Sequence, residues 1–347
     1  MNTKTRSITI FVFVLFLLVA MFFGITRKQP VEFESGYRLV MGTFVRVIVV
    51  APNRKIAEKA AEDAFAAIEN VDNLMSDYKD NSEISIVNRE AFQRAVQVSE
   101  PTFEVIQRSV KFSKFTDGAF DVTVGPLVAL FREEKETQNA PTKEEIEQAD
   151  SKVGYEKLML DESNRTVRFS VEGMKLDLGG IAKGYGIDKA IEAIQEDGAL
   201  GAMVDVGGDV RCFGTPSKGK KTWLVGIQDP NLESEKKDNG LILTLKISDG
   251  AIATSGDYQQ FVMIEGKKQS HIIDRRTGSS AEGLSSVSIV TDNATDADAL
   301  ATAVSVMGQD KGLSLIERLS GTEAILIPSS TSEEIIKSSG AEKYIKN

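Results

Sequence analysis

The side chains that most often bind metals or carry protons are scarce in this chain, which contains one histidine, His271, and one cysteine, Cys212. One histidine excludes a His-rich zinc site and a two-histidine proton relay. Any divalent metal must then be bound by oxygen atoms, which favours Mg²⁺ or Ca²⁺. A solitary histidine is usually structural, but His271 lies close in sequence to several glycine turns and could carry a proton there.

Asp298 and Thr302 form the best pair of oxygen ligands in the sequence. They are four residues apart in a segment with helical spacing, so a carboxylate and a hydroxyl share one face of the predicted helix. In the alternative interpretation, Asp298 lies three residues after Thr295 and completes a helix cap, while Thr302 is packed. Spacing alone favours this structural alternative, because acidic residues are common in the first turn of helices.

A glycine turn joins a predicted strand to a predicted helix at residues 177–186. Free N–H groups at a helix N-terminus attract phosphate, and paired glycines let a diphosphate approach the backbone. Lys183 adds a positive charge, but the segment matches no standard nucleotide-binding pattern, so a tight turn before a packed helix is an equal alternative. The segment reads Asp177-Leu178-Gly179-Gly180-Ile181-Ala182-Lys183-Gly184-Tyr185-Gly186.

Two further glycine turns and three aromatic residues are also candidates for a ligand site. The turns, residues 205–209 and 253–257, are rich in oxygen ligands and N–H groups, although each alone is more often only a turn. Aromatic residues make up 7% of the chain, so a few of them stand out as residues that could stack on a ligand ring, with core packing as the alternative. These are Tyr78, Phe120 and Tyr185.

The elements that position these residues mix helical and strand-like patterns. Apolar residues recur at helical spacing in five segments, and a further helix begins at Thr142, where Glu145 completes a capping box. Strands and helices are interleaved without the regular alternation of a parallel βαβ sheet, which predicts a single mixed α/β (α+β) domain. Helices are predicted at 53–75, 102–115, 181–196, 295–307 and 311–319, and strands at 37–50, 157–160, 166–170, 175–178, 202–206, 223–228, 241–247, 261–264, 286–290 and 324–327.

The N-terminal 28 residues predict a membrane anchor. Residues 8–25 form an 18-residue run without a charge, which just spans a bilayer core, and basic residues flank it on both sides. No small-residue cleavage site and no lipidation cysteine follow. We expect an anchor at 1–28, a tether at 29–36 and a folded domain at 37–347. Charge near the N-terminus favours insertion in the cytoplasmic (inner) membrane, with the domain facing the periplasm or cell exterior.

The net charge limits the partners of the predicted domain. The whole chain has a formal net charge of −10, and four of its 41 basic residues lie in the anchor, which leaves 37 basic against 51 acidic residues, or −14. A surface with this charge repels nucleic acid and favours a metal or a protein partner.

Several segments of the chain resemble, in their order along the sequence, those of one known family. They are Met41-Gly42-Thr43, Met75-Ser76-Asp77-Tyr78, Ser82-Glu83-Ile84-Ser85, and residues 118–127, 177–186, 207–208, 225–230, 253–258, 271–278 and 298–302. As an ensemble they resemble the ApbE family, the FAD:protein FMN transferases, over roughly residues 37–310. The resemblance implies a single ApbE-like domain related to the T-fold.

The resemblance also implies an FAD pocket and a Mg²⁺ site. It places Mg²⁺ on Asp298, Thr302 and the carbonyl group of Gly180, against the structural interpretation that spacing favours. Asp298 and His271 are the predicted catalytic residues, and we assign His271 to deprotonation of the acceptor hydroxyl. The residues that it places on FAD are Met41, Tyr78, Ala119, Phe120, Asp121, Asp177, Lys183 and Ile273. The family usually has Asp-Pro where this chain has Asp274-Arg275, which predicts a less rigid turn.

The activity implied by the resemblance is Mg²⁺-dependent transfer of the FMN half of FAD to a Thr or Ser hydroxyl of another protein, with release of AMP. The implied acceptor is a membrane redox subunit with an Asp-Gly-x-Ser/Thr-type motif. Two alternatives use the same pocket: an FAD pyrophosphatase, in which water replaces the protein hydroxyl, and a non-catalytic FAD-binding protein, which would not need Asp298 and Thr302.

Overall fold

The computed structural model describes most of the chain beyond the first 28 residues. The described residues are 29–137, 140–216, 219–230, 240–256, 261–264, 267–270, 272–275, 277–329 and 335–346. Within these ranges no helix has both the length and the apolar character needed to cross a membrane. The anchor predicted for residues 1–28 lies outside the described residues.

The centre of the described fold is an antiparallel sheet of eight strands in the order β1-β2-β6-β7-β10-β15-β16-β17. Burial is nearly continuous along the central strands, and all eight residues of Leu284–Thr291 are buried. Because successive side chains point to opposite faces of a sheet, both faces are covered. The strands are β1 (Val31–Val40), β2 (Thr43–Ala51), β6 (Gly201–Val206), β7 (Asp209–Gly214), β10 (Gly250–Gly256), β15 (Leu284–Thr291), β16 (Glu323–Pro328) and β17 (Ile336–Lys337).

A tight hairpin joins β1 to β2, where the sequence predicted one continuous strand over 37–50. Val40 pairs with Thr43, and the two residues between them, Met41 and Gly42, have φ angles of 54° and 71°. Two central residues with positive φ match the right-handed twist of paired strands, which is why the chain reverses here. β1 also begins at Val31, so the prediction of a tether at 29–36 is wrong for residues 31–36.

Helices cover one face of the sheet and a small hairpin covers the other. The first face packs against four helices in the largest apolar cluster: α1 (Arg54–Met75), α6 (Ala182–Glu196), α7 (Ala294–Met307) and α8 (Gln309–Ile316). On the second face, Val50, Met203 and Ile252 contact Trp223 and other residues of an antiparallel pair. These strands are β8 (Trp223–Gln228) and β9 (Leu241–Ile247).

A second apolar cluster supports the segments that flank the glycine turn at 177–186. The sequence missed two helices near it, α2 (Glu83–Glu90) and α4 (Gly125–Thr137), and the strands β7 and β10. The strand predicted at 175–178 is only an isolated bridge between Val124 and Lys175. The remaining elements are α3 (Glu100–Phe115), α5 (Lys143–Asp150), β3 (Val96–Gln97), β4 (Leu158–Asp161), β5 (Thr166–Phe169), β11 (Phe261–Ile264), β12 (Lys267–Ser270), β13 (Ile273–Asp274) and β14 (Ser279–Ser280).

Gly184 allows α6 to cross the start of α7 at short distance. A Cβ atom at this position would lie 2.2 Å from the carbonyl oxygen of Ala294 and 2.8 Å from the Cα of Thr295. These are backbone atoms, so no side-chain rotation relieves the clash. We expect Gly184→Ala to lower the free energy of unfolding by about 3 kcal/mol, the upper end of the usual cost of overpacking. Chemical denaturation followed by circular dichroism measures this loss.

Gly186 provides the matched control for this prediction, since it lies two residues further along α6. A Cβ atom there would make ordinary contacts, 3.5 Å from Met41 Sδ and 3.8 Å from Val71. Gly186→Ala should therefore leave stability unchanged or raise it by about 0.5–1 kcal/mol, because alanine favours helix interiors over glycine. Equal stabilities for the two variants would contradict the close helix crossing.

Candidate active site

The start of α7 is fixed by a buried carboxylate from α6. Asp188 accepts hydrogen bonds from the N–H groups of Ala294 (2.9 Å) and Thr295 (3.0 Å) and pairs with Arg211 at 2.7 Å. The side chain of Asn293 caps the same helix by accepting from the N–H group of Asp296. These contacts satisfy N–H groups that a helix leaves free at its first turn, so the position of α7 relative to α6 is well determined.

Asp298 lies in the second turn of α7 and faces the first turn of α6. Its side chain is almost fully buried. Oδ2 accepts a hydrogen bond of 3.0 Å from the N–H group of Gly184, and Oδ1 lies 3.2 Å from Lys183 Nζ. Because Asn293 and Asp188 cap α7, the alternative in which Asp298 completes the helix cap is wrong.

Lys183 is held between two buried carboxylates. Its ammonium group pairs with Asp298 and with Asp209, whose other oxygen accepts a 2.9 Å hydrogen bond from the N–H group of Thr254. Burial lowers the pKa of Lys183, but the two carboxylates outweigh this effect and raise it above its usual value. Lys183 therefore stays charged, and Asp209 of the glycine turn at 205–209 links it to Thr254. Residues 253–256, predicted as part of a glycine turn, belong to β10.

The pKa of Asp298 is raised to about 6, mainly by burial. Lys183 and the N–H group of Gly184 lower this pKa, whereas the negative charge of Asp209 raises it. A carboxyl group with a pKa of about 6 is mostly ionised at neutral pH. Asp298 is therefore available as a negatively charged ligand even though it is buried.

Thr302 lies one helical turn after Asp298 and is close to Gly180, which precedes Gly184 by four residues. A Cβ atom built on Gly180 would lie 3.0 Å from Thr302 Oγ1, so only glycine leaves this space open. Thr302 is half-buried, and its hydroxyl forms no hydrogen bond with any residue that the structure describes. By contrast, the hydroxyl of Ser305 on the same helix donates to the carbonyl oxygen of Ala301 at 2.8 Å. The Thr302 hydroxyl is thus free to bind a ligand.

These contacts fit an oxygen-bound divalent cation with a single protein carboxylate. The structure brings the carboxylate of Asp298, the hydroxyl of Thr302 and the glycine turn at Gly180 to the same edge of α7. In the described part of the chain, no group of three or more His, Cys, Asp or Glu side chains could hold a metal ion. A hard cation such as Mg²⁺ accepts a donor set of this kind, since it usually keeps several waters or substrate oxygens.

The predicted FAD residues on the other side of the glycine turn differ in exposure. Phe120 is buried, makes an edge contact with the ring of Phe112 (5.9 Å between centroids) and reaches the turn at Gly180. Ala119 is half-buried beside it. Tyr78 has 77% of its surface exposed. Tyr78, whose ring also lies 4.5 Å from the guanidinium carbon of Arg132, therefore keeps most of its surface available to a ligand, whereas Phe120 packs beneath the turn.

Met41 and Tyr185 are placed by packing. Met41 contacts both large apolar clusters, and its sulfur atom faces Gly186 at the start of α6. Tyr185, a candidate for ring stacking, is fully buried, and its hydroxyl donates to Glu104 at 2.8 Å. Tyr185 is thus a core residue, as in the alternative interpretation, whereas Met41 lies at the border between the hairpin turn and α6.

Asp121 is occupied by hydrogen bonds within the fold. Its carboxylate accepts from the N–H group (2.9 Å) and hydroxyl group (2.7 Å) of Thr123 and from the N–H group of Tyr155 (3.0 Å). Burial raises the pKa of Asp121, and these hydrogen bonds lower it. Ile273 is buried against Leu127 and neighbouring apolar residues. The side chains of Asp121 and Ile273 are therefore buried beneath the site and support it.

Arg275 lies at the position where the resemblance to the ApbE family leads us to expect a proline. Its guanidinium group lies 3.3 Å from Asp150, 3.6 Å from Asp121 and 3.0 Å from the carbonyl oxygen of Val153. These three contacts hold the side chain of Arg275 against the fold. His271, the predicted proton carrier, lies outside the described residues.

Sequence reasoning missed three charged residues that organise the site: Asp188, Asp209 and Arg132. Asp209 was noted only as part of a glycine turn, and Arg132 lies on the unpredicted helix α4, beside Asp177. Asp177 also accepts a 2.8 Å hydrogen bond from the N–H group of Gly179. Only Asp188 could have been found from the sequence, because an acidic residue in the middle of an apolar helix face indicates a buried, paired carboxylate. The sequence offers no such signal for Asp209 or Arg132.

Comparisons with known proteins identify the family of the chain. A sequence model of the ApbE family matches residues 41–326. The chain belongs to the ApbE family. It is 32% identical over 295 residues to the FAD:protein FMN transferase of Haemophilus influenzae, with 83% of this chain and 84% of that protein covered. The Escherichia coli K12 protein of the same name is 30% identical over 314 residues, with 87% and 88% covered.

Solved structures of ApbE proteins share the fold. The ApbE protein of Thermotoga maritima superposes with a TM-score of 0.82 at 31% identity, covering 92% of this chain and all of that one. The flavin transferase ApbE of Vibrio cholerae gives a TM-score of 0.80 at 28% identity, covering 91% and 99%. The prediction of a mixed α/β ApbE-like fold is confirmed.

Proposed function

We propose that this protein is an FAD:protein FMN transferase that moves the FMN half of FAD to a Thr or Ser hydroxyl of another protein and releases AMP. The observation that carries the proposal is the contact between α7 and the glycine turn, where Asp298 meets Gly184 and Thr302 meets Gly180. The names of the relatives in Haemophilus influenzae and Escherichia coli support the same activity.

The cation that fits these donors is Mg²⁺, which Asp298, Thr302 and the carbonyl group of Gly180 would hold. When bound, Mg²⁺ would neutralise negative charge on the diphosphate of FAD. Lys183 supplies a second positive charge beside the same turn, and Asp209 keeps its ammonium group in place. Phosphoryl transfers depend mainly on positioning and charge stabilisation, so these groups account for most of what the reaction requires of the protein.

In the proposed reaction, the hydroxyl oxygen of the acceptor forms a bond to the phosphorus atom next to the flavin ribityl chain. The bond from this phosphorus to the bridging oxygen breaks, and AMP leaves with that oxygen. His271 takes the proton of the acceptor hydroxyl. The residues proposed to line the FAD pocket are Met41, Tyr78, Ala119, Phe120, Asp121, Asp177, Lys183 and Ile273; the side chains of Phe120, Asp121 and Ile273 are buried and support the pocket.

We further propose that residues 1–28 anchor the chain in the cytoplasmic membrane, with the domain on the periplasmic or outer side. The 18-residue uncharged run at 8–25 and its basic flanks support this location. A membrane-anchored transferase would act on a nearby membrane redox subunit that presents an Asp-Gly-x-Ser/Thr-type motif. The negative net charge of the domain argues against a nucleic-acid partner.

A gel assay separates the proposed activity from its two alternatives. Residues 29–347 are incubated with FAD, Mg²⁺ and a candidate acceptor subunit, and flavin fluorescence is followed on a denaturing gel. A fluorescent acceptor band supports the transferase. Free FMN and AMP without a labelled band would indicate an FAD pyrophosphatase, and unchanged FAD would indicate a flavin-binding protein.

A further inference from the structure

Arg132 of α4 joins two segments that are distant in sequence and that each carry residues proposed to line the FAD pocket. One guanidinium nitrogen, Nη1, lies 2.5 Å from Asp77 Oδ2, and the other, Nη2, lies 3.0 Å from Asp177 Oδ2. The guanidinium carbon also lies 4.5 Å from the centre of the Tyr78 ring. Arg132 thus contacts both the end of α1 and the start of the glycine turn.

The two carboxylates would repel each other without Arg132. Burial raises the pKa of Asp177, and the nearby charge of Asp77 raises it further, whereas Arg132 lowers it. A planar guanidinium group with several donors can satisfy both acids at once, which an ammonium group does less well. Arg132 therefore holds together two segments that like charges would otherwise separate.

Each of these segments carries a residue proposed to line the FAD pocket, Asp177 in one and Tyr78 in the other. Asp177 also accepts the 2.8 Å hydrogen bond from Gly179 N–H, which shapes the turn one residue before Gly180. Tyr78 follows Asp77 directly and is 77% exposed, so neighbouring packing does little to fix its ring. A cation over an aromatic face contributes roughly 0.5–1 kcal/mol at exposed sites, which is enough to favour one ring orientation.

We propose that Arg132 is a positioning residue for the dinucleotide: it orients the Tyr78 ring for stacking and fixes the glycine turn through Asp177. The proposal rests on the proposed function, because it assumes that FAD binds between Tyr78 and that turn. Arg132 itself need not touch the substrate. Its effect is therefore on FAD binding more than on the chemical step.

Arg132→Ala and Arg132→Lys test this role. We expect alanine to raise the dissociation constant for FAD by about 10- to 100-fold, the range for losing a charged hydrogen-bonded contact. The rate of transfer at saturating FAD should fall by less than about fivefold, because the metal ligands remain in place. Lysine keeps the positive charge and should recover part of the affinity. Flavin fluorescence titration and steady-state kinetics measure the two effects.

Arg38 supplies a matched control. Like Arg132, its side chain is 39% exposed, pairs with a carboxylate, here Glu62, and lies over an aromatic ring, 4.0 Å from the centre of Phe65. Arg38→Ala should change FAD affinity by less than about twofold, since Arg38 contacts Glu62 and Phe65 and not the glycine turn. It controls for the loss of an exposed arginine that pairs with an acid and covers an aromatic ring.

Three outcomes would overturn the role of Arg132: unchanged FAD affinity in Arg132→Ala, an equal loss of affinity in Arg38→Ala, or a fall in rate at saturating FAD as large as the fall in affinity. If Arg132→Ala does not fold, the FAD affinity of Arg132→Lys is the test. A partial loss of affinity supports the role of Arg132, and an affinity equal to that of the unmodified protein overturns it. The FAD titration needs no acceptor protein. Weaker FAD binding in the variants, together with no transfer by the unmodified protein, would therefore refute the proposed function and leave the role of Arg132 intact.

Discussion

Replacing Asp298 with alanine is expected to abolish Mg²⁺-dependent flavin transfer, with a fall in rate of at least about 1,000-fold. Asp298 is the only carboxylate in the proposed donor set, and losing a metal that stabilises transition-state charge costs several kcal/mol. The initial rate of flavin incorporation, measured over a range of Mg²⁺ concentrations, tests this expectation. Circular dichroism checks that the variant folds, since Asp298 also accepts from Gly184 N–H.

Two hydroxyl variants on the same helix control for nonspecific damage to α7. Thr302→Val keeps the shape of the side chain but removes the proposed ligand, so it should raise the Mg²⁺ concentration needed for half-maximal rate. Ser305→Ala removes a hydroxyl that is already bonded to the carbonyl oxygen of Ala301, and it should leave the Mg²⁺ dependence unchanged. Full activity in Asp298→Ala would show that the metal is held elsewhere.

Replacing His271 with alanine is expected to slow transfer by about 100- to 10,000-fold, the usual contribution of a general base. The dissociation constant for FAD should change by less than about threefold, because the imidazole is proposed to act on the acceptor hydroxyl. Single-turnover transfer and FAD titration measure the two quantities separately. Added imidazole should restore part of the rate in His271→Ala. Equal losses in binding and transfer, with no rescue, would indicate a structural histidine.

Periodicity in the sequence predicted the main helices well. The segments predicted at 53–75, 181–196 and 295–307 correspond to α1, α6 and α7 within one residue at each end. The capping box of Thr142 and Glu145 is also present. These features depend on residues three or four positions apart, which is the range over which helix patterns and caps act.

The hairpin at Met41 and the helix α4 show where periodicity fails. The turn between β1 and β2 uses one glycine and a methionine with positive φ, a residue type that does not mark such turns. The polar second half of α4 offers no continuous apolar face. The order of the central strands was equally inaccessible, because pairings such as β2 with β6 and β7 with β10 join segments far apart along the chain.

The site illustrates the same limit. Spacing placed Asp298 and Thr302 on one helix face, but it favoured a structural role for both. Their contacts with Gly184 and Gly180 join residues more than 100 positions apart, and only the resemblance to the ApbE family anticipated them. Asp209 and Arg132 were missed for a related reason, since their ion pairs join residues 26 to 55 positions apart.

The location of the metal in crystals grown with FAD and Mn²⁺ tests the central claim most directly, because Mn²⁺ replaces Mg²⁺ on oxygen ligands and is visible by its anomalous scattering. We predict an anomalous peak about 2.0–2.2 Å from the Asp298 carboxylate, Thr302 Oγ1 and the Gly180 carbonyl oxygen, with the FAD diphosphate completing the coordination. A metal that binds the FAD diphosphate without contacting Asp298 or Thr302 would contradict the account.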